Sequence, residues 1–275
     1  MKVSKAIDTR GSGGNSGYVL DNAGEQARAR FDALSAVFDP GTIRHLETCG
    51  IGSGWHCLEV GGGGGSIAAW LSKRVWPTGR VLVTDIDPRH LQSLKFHNLE
   101  VRSHNIVTDP LPEASFDLVH SRLVLVHLPE REKALDRMIA ALKPGGWLID
   151  EEFDPSVSPD PTVNPEEVLL KTHVAMTRVM KSRGVDRGFG RPLFGQLRAR
   201  GLKDVTAEGR TFMWEGGSPG ASLLRSNYEQ LRGAMIDAGY ITQQEFEKDV
   251  SQLADPSFVT PSPILWTAWG RRPPA

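Results

Sequence analysis

Leu58-Glu59-Val60-Gly61-Gly62-Gly63-Gly64-Gly65-Ser66 is the stretch that decides the fold, and Ile67-Ala68-Ala69-Trp70-Leu71 follows it. The apolar run from Trp55 to Val60 predicts a buried strand, and Ser66 begins a predicted helix. The glycines between them predict a tight turn, because glycine adopts positive φ and lets the backbone approach a ligand closely. A strand, a glycine turn and a helix in this order predict a site for a nucleotide-like cofactor at the carboxyl end of the strand.

An acid inside this strand indicates which class of cofactor to expect. Glu59 lies two residues before the first glycine, within the apolar run. A buried carboxylate is costly unless a charged or hydrogen-bonding group compensates it. An ammonium or sulfonium group would do so and a pyrophosphate would not, which favours S-adenosylmethionine. The dinucleotide pattern is also broken, because Ser66 occupies its third glycine position. The alternative is that Glu59 pairs with a nearby Lys or Arg and the glycines only turn the chain.

A second predicted strand also ends in an acidic residue. Arg80-Val81-Leu82-Val83-Thr84-Asp85 is rich in β-branched residues and ends 20 positions after Gly65. An acid at this position can accept hydrogen bonds from both ribose hydroxyls of an adenosine, so Asp85 is the predicted ribose ligand. Asp87 is predicted to cap a helix that begins at Pro88.

Three further motifs follow in order: Phe116-Asp117-Leu118-Val119, Val126-His127-Leu128-Pro129 and the turn Pro144-Gly145-Gly146. With the acid–glycine motif and Asp85, they resemble the class I S-adenosylmethionine-dependent methyltransferases. The resemblance is nearest to small-molecule enzymes of the ubiquinone/menaquinone and natural-product type, and it covers roughly residues 40 to 154. It implies an α/β fold: a doubly wound, mostly parallel, seven-stranded Rossmann-like methyltransferase sheet with helical lid insertions. The alternation of predicted strands and helices also favours a parallel sheet.

The resemblance implies S-adenosylmethionine as the cofactor. The residues expected around it are Glu59, Gly61, Gly63, Gly65, Asp85, Ile86, Asn105, Ile106 and Ser121. Many relatives carry an aspartate after the third strand that accepts a hydrogen bond from the adenine amino group. The matching position here is Asn105, whose amide oxygen can also accept, and Asp109 is the alternative.

Methyl transfer from a sulfonium is an in-line displacement in which a base sometimes removes a proton from the acceptor. Glu151 and Glu152 follow the fifth strand, and strand alternation turns only one of them toward the pocket. The predicted catalytic residues are Glu152 and His127, and His173 on a lid helix is a further candidate. The alternative for His127 is a hydrogen-bonded core histidine that caps a helix. A carbon nucleophile or an acidic phenol would need little base catalysis.

The chain divides into four predicted regions. They are a flexible N-terminal tail (1–17), an N-terminal helical cap (18–50), an S-adenosylmethionine-binding core (51–154), and lid helices with the last two strands (155–275). In the cap, Asp39-Pro40 is predicted to end the first helix, and Tyr18 either contacts substrate or packs against its own helix.

The lid is predicted to be helical and apolar. Asn164-Pro165-Glu166 is a strong helix start, with Asn as the cap and Pro at the first helical position. Such a lid would exclude water from the reacting groups. The residues predicted to line its pocket are Met176, Met180, Phe189, Tyr228 and Phe258, although such side chains at helical spacing are more often ordinary core.

Composition limits the partners. The 32 basic and 33 acidic residues nearly cancel, so no nucleic-acid partner is predicted. Two cysteines form no disulfide framework, and neither a signal peptide nor an apolar run of about 18 residues is evident, so we expect a cytoplasmic enzyme without membrane insertion. No spacing of histidines and cysteines indicates a metal site. The oligomeric state stays open.

The sequence therefore predicts an enzyme that transfers a methyl group from S-adenosylmethionine to a small, largely apolar metabolite of secondary metabolism, such as an aromatic or polyketide-like compound. Whether O, N or C is methylated is undetermined. One alternative is a fold relative that binds the donor but catalyses a non-methylating reaction such as a cyclisation. Another is an NAD(P)-dependent reductase, which Ser66 and Glu59 disfavour. The substrate class is an expectation that rests on analogy with the fold family alone.

Overall fold

The computed structural model describes Leu20 and residues 26–157 and 170–274. The predicted tail, Tyr18 and the predicted helix start at Asn164 lie outside these residues. The strands in the described part are β1 (His56–Val60), β2 (Arg80–Asp85), β3 (Leu99–Ser103), β4 (Phe116–Arg122), β5 (Leu142–Asp154), β6 (Lys203–Arg210), β7 (Met213–Glu215), β8 (Val259–Pro261) and β9 (Ile264–Arg271). The helices are α1 (Gln26–Thr48), α2 (Ser66–Val75), α3 (Arg131–Ala141), α4 (Leu170–Ser182), α5 (Leu193–Ala199), α6 (Pro219–Asp237) and α7 (Gln243–Gln252).

The main sheet has seven strands in the order β3-β2-β1-β4-β5-β9-β6. The pairings from β3 to β5 are parallel, and β9 runs antiparallel to both β5 and β6. This confirms the predicted doubly wound, mostly parallel, seven-stranded sheet. The chain winds outward from β1 in two directions, so the carboxyl ends of β1 and β4 flank the switch point at which ligands bind in open α/β sheets.

Helix α1 corrects one local prediction. It runs unbroken through Pro40, whereas Asp39-Pro40 was expected to end a first helix. Proline removes one backbone donor from a helix and strains the preceding turn. Tertiary contacts on both sides of the proline offset this cost, because Asp39 Oδ1 lies 2.8 Å from Arg122 Nη2 and the Thr42 hydroxyl bonds to Glu151.

Two other boundaries differ from the sequence patterns. The predicted turn at Pro144-Gly145-Gly146 lies inside β5, where Gly145 has φ +80° and the register shifts opposite β4. The sequence from Leu202 to Trp214 favours a single sixth strand, but it is divided into β6 in the main sheet and β7, which pairs with β8 in a separate two-stranded sheet. The predicted helix after β2 is a 3-10 helix from Pro88 to Ser93, and Asp87 caps it as expected.

Helices α4, α6 and α7 pack with α1 on one side of the sheet. Their shared core contains large, fully buried side chains such as Phe38, Tyr228 and Phe246. The start of α7 is fixed by a capping box, in which Thr242 and Glu245 bond to each other's backbone N–H groups. These helices cover the carboxyl ends of the strands and thereby enclose the space described next.

Candidate cofactor and substrate site

A cavity of about 400 Å³ lies at the carboxyl ends of β1, β2 and β4, beneath α1, α4 and α6. The glycine turn after β1 forms one wall and apolar side chains of the covering helices form the opposite wall. The predicted site residues that line it are Glu59, Gly61, Gly63, Asp85, Ile86, Asn105, Ile106 and His127. Gly65, Ser121 and Glu152 do not line it.

The glycine turn has a conformation that requires glycine. Gly61, Gly63 and Gly65 have φ values of +70°, +51° and +82°. A Cβ on Gly61 would also lie 2.3 Å from a methyl carbon of Val124, and one on Gly63 would lie 2.8 Å from the Phe31 ring. Gly65 precedes α2 and is enclosed by Leu side chains, so its role is to set the turn and the prediction that it contacts the cofactor is not supported.

Asp85 joins the end of β2 to this turn. Its Oδ2 accepts a hydrogen bond from the backbone N–H of Gly63 at 3.0 Å, and its Oδ1 accepts from that of Asp87 at 2.9 Å. Burial raises the pKa of the Asp85 carboxyl. The carboxylate is therefore held rigidly at the cavity wall, where each oxygen keeps a further lone pair for a ligand hydroxyl.

Glu59 is compensated by a histidine, which neither sequence alternative anticipated. His120 lies directly opposite Glu59 in the β1–β4 pairing, and its Nδ1 is 2.6 Å from Glu59 Oε2. The Nε2 of the same ring is 3.5 Å from Glu151 Oε2. Glu151 in turn accepts from Arg210 Nη2 at 2.6 Å. Glu59, His120, Glu151 and Arg210 thus form a buried row of alternating charges, and Glu59 is the member that lines the cavity.

Charge attraction fixes the protonation states within this chain. Burial alone would lower the pKa of His120, but Glu59 and Glu151 outweigh it and raise the pKa to about 9. Burial alone would raise the pKa of Glu151, but His120, Arg122 and Arg210 outweigh it and lower the pKa to about 2. At neutral pH His120 is therefore an imidazolium between two carboxylates.

The loop after β3 contributes backbone and side-chain groups to the cavity. The Asn105 Oδ1 accepts from the N–H of Val107 at 2.9 Å, and the Asn105 N–H donates to Asp109 Oδ2 at 2.9 Å. Both candidates for an adenine contact therefore brace this loop. Of the two, only Asn105 lines the cavity, together with Ile106.

Ser121 and Glu152 have structural partners instead of a place in the cavity. The Ser121 hydroxyl donates to the buried carboxyl of Asp150. The Glu152 carboxylate accepts from the backbone N–H groups of Val124, Leu125 and Val126 at 3.0, 2.6 and 3.3 Å. The predictions of a cofactor contact for Ser121 and a base for Glu152 are corrected accordingly, because Glu152 instead holds the loop that precedes His127.

His127 follows this loop and lines the cavity. Burial and the neighbouring Arg30 lower the pKa of its imidazole to about 3. The ring is therefore neutral across the physiological range. A neutral imidazole can donate or accept a hydrogen bond, but a group with this pKa is a weak proton acceptor.

The covering helices contribute residues that sequence patterns missed. Arg30 on α1 lies over the Phe31 ring, with its guanidinium carbon 4.6 Å from the ring centroid, and both line the cavity. Arg187, which follows α4, also lines it, next to His173. Among the predicted pocket residues, Met176 and Met180 line the cavity, whereas Phe189, Tyr228 and Phe258 are buried elsewhere. No local motif marks an arginine in an apolar lid.

Among residues 26–157 and 170–274, no group of three or more His, Cys, Asp and Glu side chains is arranged to hold a metal ion. In the same part of the chain, no helix has both the length and the apolar character that a membrane span requires.

The amino-acid sequence is similar to those of known methyltransferases. A family profile described as a methyltransferase domain matches residues 58–150. The methyltransferase str2 of Strobilurus tenacellus is 32% identical over 185 residues, which is 66% of this chain and 65% of that protein. The ubiquinone/menaquinone biosynthesis C-methyltransferase UbiE of Pseudomonas putida (strain W619) is 30% identical over 225 residues and 77% of each chain. The chain thus spans slightly less than two thirds of the first of these relatives.

Solved structures share the fold. Phosphoethanolamine N-methyltransferase 2 of Haemonchus contortus, in complex with phosphomonomethylethanolamine and S-adenosylhomocysteine, superposes with a TM-score of 0.54 at 15% identity. The superposition covers 92% of this chain and 59% of that one.

Proposed function

The chain belongs to the class I S-adenosylmethionine-dependent methyltransferases, and from this premise we propose that it transfers a methyl group from S-adenosylmethionine to a small, largely apolar metabolite. The observation that carries the proposal is the continuity of one cavity, which joins the carboxylates of Glu59 and Asp85 to the apolar side chains of α1, α4 and α6. The polar methyl donor would bind at the carboxylate end of the cavity, and an apolar methyl acceptor would pack against the apolar side chains.

The side chains at the sheet end fit this cofactor. Glu59 and Asp85 both line the cavity, where the Asp85 carboxylate would accept hydrogen bonds from ribose hydroxyls and Glu59 would attract an ammonium group. Asn105 and Ile106 would flank the adenine. When bound, S-adenosylmethionine supplies an electrophilic methyl group on a sulfonium centre. The contribution of the chain is to orient the acceptor and to exclude water, which the aliphatic side chains of Leu34, Met176 and Leu224 do at the lid end.

We place the enzyme in a reducing, cytoplasmic compartment and in natural-product metabolism. Both cysteines are free and buried, as is typical of proteins that do not depend on disulfides. The natural-product assignment rests on the apolar side chains that the lid helices contribute to the cavity. The balance of 32 basic and 33 acidic residues supports a small-molecule acceptor over a nucleic acid.

The direct test is a transfer assay with methyl-labelled S-adenosylmethionine and a panel of aromatic and polyketide-like acceptors. We expect S-adenosylhomocysteine to form in equal amount with a labelled product for at least one acceptor class. Formation of a product without S-adenosylhomocysteine would indicate a non-methylating reaction. Absence of label from every class would contradict the proposed acceptor.

His127 is proposed to position the acceptor through a hydrogen bond, since its imidazole is neutral in the cavity. We expect His127→Ala to lower kcat/KM about tenfold, which corresponds to one hydrogen bond of about 1.4 kcal/mol. Binding of S-adenosylhomocysteine should not change, and neither should the pH profile between pH 5 and 8. His97→Ala, at an exposed position, is the matched control. If kcat/KM of the wild type changed with pH around 6.5 and that of the variant did not, His127 would instead act as a base.

A further inference from the structure

The lid end of the cavity contains the guanidinium of Arg187, which has no carboxylate partner among the residues that the structure describes. Arg187 lines the cavity, and its described contacts are made by Nη1, which donates to the Thr177 hydroxyl and lies 3.2 Å from His173 Nε2. The adjacent acid, Asp186, is instead 3.5 Å from Arg131 Nη1. Within the described part of the chain, no acid forms an ion pair with Arg187.

This arrangement leaves a half-buried cation open to a ligand of opposite charge. A cation that is partly removed from water gains from an opposite charge or further acceptors. Here burial lowers the pKa of Arg187, and the two groups that it contacts are neutral. Burial, followed by the charge of Arg187, lowers the pKa of His173 to about 3, so its ring adds no charge to the wall.

The neighbouring charges do not balance Arg187. The other guanidiniums on the cavity wall belong to Arg30 and Arg122, and Arg122 is paired with Asp39 at 2.8 Å. The acidic residues of the cavity wall are not close to Arg187 in the fold: Glu59 lies in β1 and Asp85 ends β2, both at the cofactor end, and Glu130 is exposed. The lid end is therefore apolar with a positive centre.

The Nε–Nη2 edge of the Arg187 guanidinium makes no described contact, and its geometry favours one kind of ligand. Nε and Nη2 form the side-on edge of an arginine fork, and this edge makes two parallel hydrogen bonds to a carboxylate. Because Nη1 makes both described contacts, it fixes the plane of the guanidinium and leaves that edge for a ligand. Asn227 on α6 also lines the cavity, and its buried Oδ1 has no hydrogen-bond partner among the described residues.

We infer that the methyl acceptor is an apolar carboxylic acid, whose carboxylate pairs with Arg187 while its apolar body packs against Met176, Met180 and Leu224. This inference rests on the proposed function and names the substrate class of the same site. It specifies the group that anchors the acceptor and leaves open the atom that receives the methyl group.

The test compares an acid with its neutral amide. Purified protein is titrated calorimetrically with 2-naphthoate and with 2-naphthamide, each in the presence and absence of S-adenosylhomocysteine. We expect the acid to bind about tenfold more tightly than the amide. Arg187→Gln should abolish this preference, and Arg225→Gln, which removes an exposed arginine from α6, should retain it.

A measurement on the unaltered chain guards against misfolding of the variant. We expect 2-naphthoate to raise the unfolding temperature of the wild-type protein more than 2-naphthamide does at equal concentration. An acid that binds no better than the amide, or not at all, overturns the inference, as does a preference that survives in folded Arg187→Gln. Binding of S-adenosylhomocysteine is measured separately. If it does not bind, the proposed function fails; if it binds, a negative result with 2-naphthoate concerns only the role of Arg187.

Discussion

Replacing His120 with alanine is expected to lower the free energy of unfolding by about 3–5 kcal/mol, the usual cost of breaking a buried ion pair by removing one partner. His120 is completely buried between Glu59 and Glu151, at 2.6 and 3.5 Å from their carboxylate oxygens. Without the imidazolium, Glu59 loses its buried counterion. Urea unfolding at pH 7 measures the loss, and His97→Ala provides the exposed control.

The same ion pairs predict a dependence on pH. The pKa of His120 rises from 6.5 in the unfolded chain to about 9 in the folded protein. Its contribution is therefore fully present below pH 6.5 and is lost as the pH rises through 9. A shift of this size corresponds to about 3 kcal/mol. Wild-type stability should fall over this range, and His120→Ala should fall less steeply. A loss under about 1 kcal/mol, with an unchanged pH slope, would contradict the assignment.

Replacing Asp85 with alanine is expected to weaken S-adenosylhomocysteine binding about 100-fold. The carboxylate lies at the cavity wall, where Oδ2 accepts from the Gly63 N–H in the glycine turn and Oδ1 accepts from the Asp87 N–H after β2. Two hydrogen bonds from ribose hydroxyls to a charged acceptor, each of about 1.5 kcal/mol, account for a loss of this size.

The control for Asp85→Ala is Asp87→Ala. Asp87 carries the same charge two positions along the chain, caps the 3-10 helix and does not line the cavity. We expect it to bind S-adenosylhomocysteine with wild-type affinity. Unfolding temperatures of both variants separate weaker binding from lost structure. Equal affinity of folded Asp85→Ala and the wild type would remove the ribose contact from the proposal.

The glycine turn and the strand ends could be predicted because local sequence determines them. An apolar strand followed by glycines with positive φ has few other conformations, and Asp85 ends its strand wherever that strand is placed. The break expected at Pro40 was wrong for the opposite reason. Contacts of Asp39 and Thr42 with distant residues keep the helix continuous. Helix propensity depends only on nearby residues, so it cannot predict these contacts.

The partners of the buried charges could not be read from the sequence. Glu59 requires compensation, but His120 is 61 positions away and becomes its neighbour only when β1 pairs with β4. Glu152 was predicted to act as a base, but its carboxylate binds three backbone N–H groups of a loop whose path depends on the whole fold. Arg187 lies in no motif, and only the packing of α4 brings it to the cavity.

The most direct measurement is a calorimetric titration of the purified protein with S-adenosylhomocysteine, S-adenosylmethionine and NADH. The carboxylates of Glu59 in β1 and Asp85 at the end of β2, both on the cavity wall beside the glycine turn, predict binding of both adenosyl ligands at micromolar concentration and no heat with NADH. Binding of NADH without response to either adenosyl ligand would contradict the assignment of the cofactor and, with it, the role of both carboxylates.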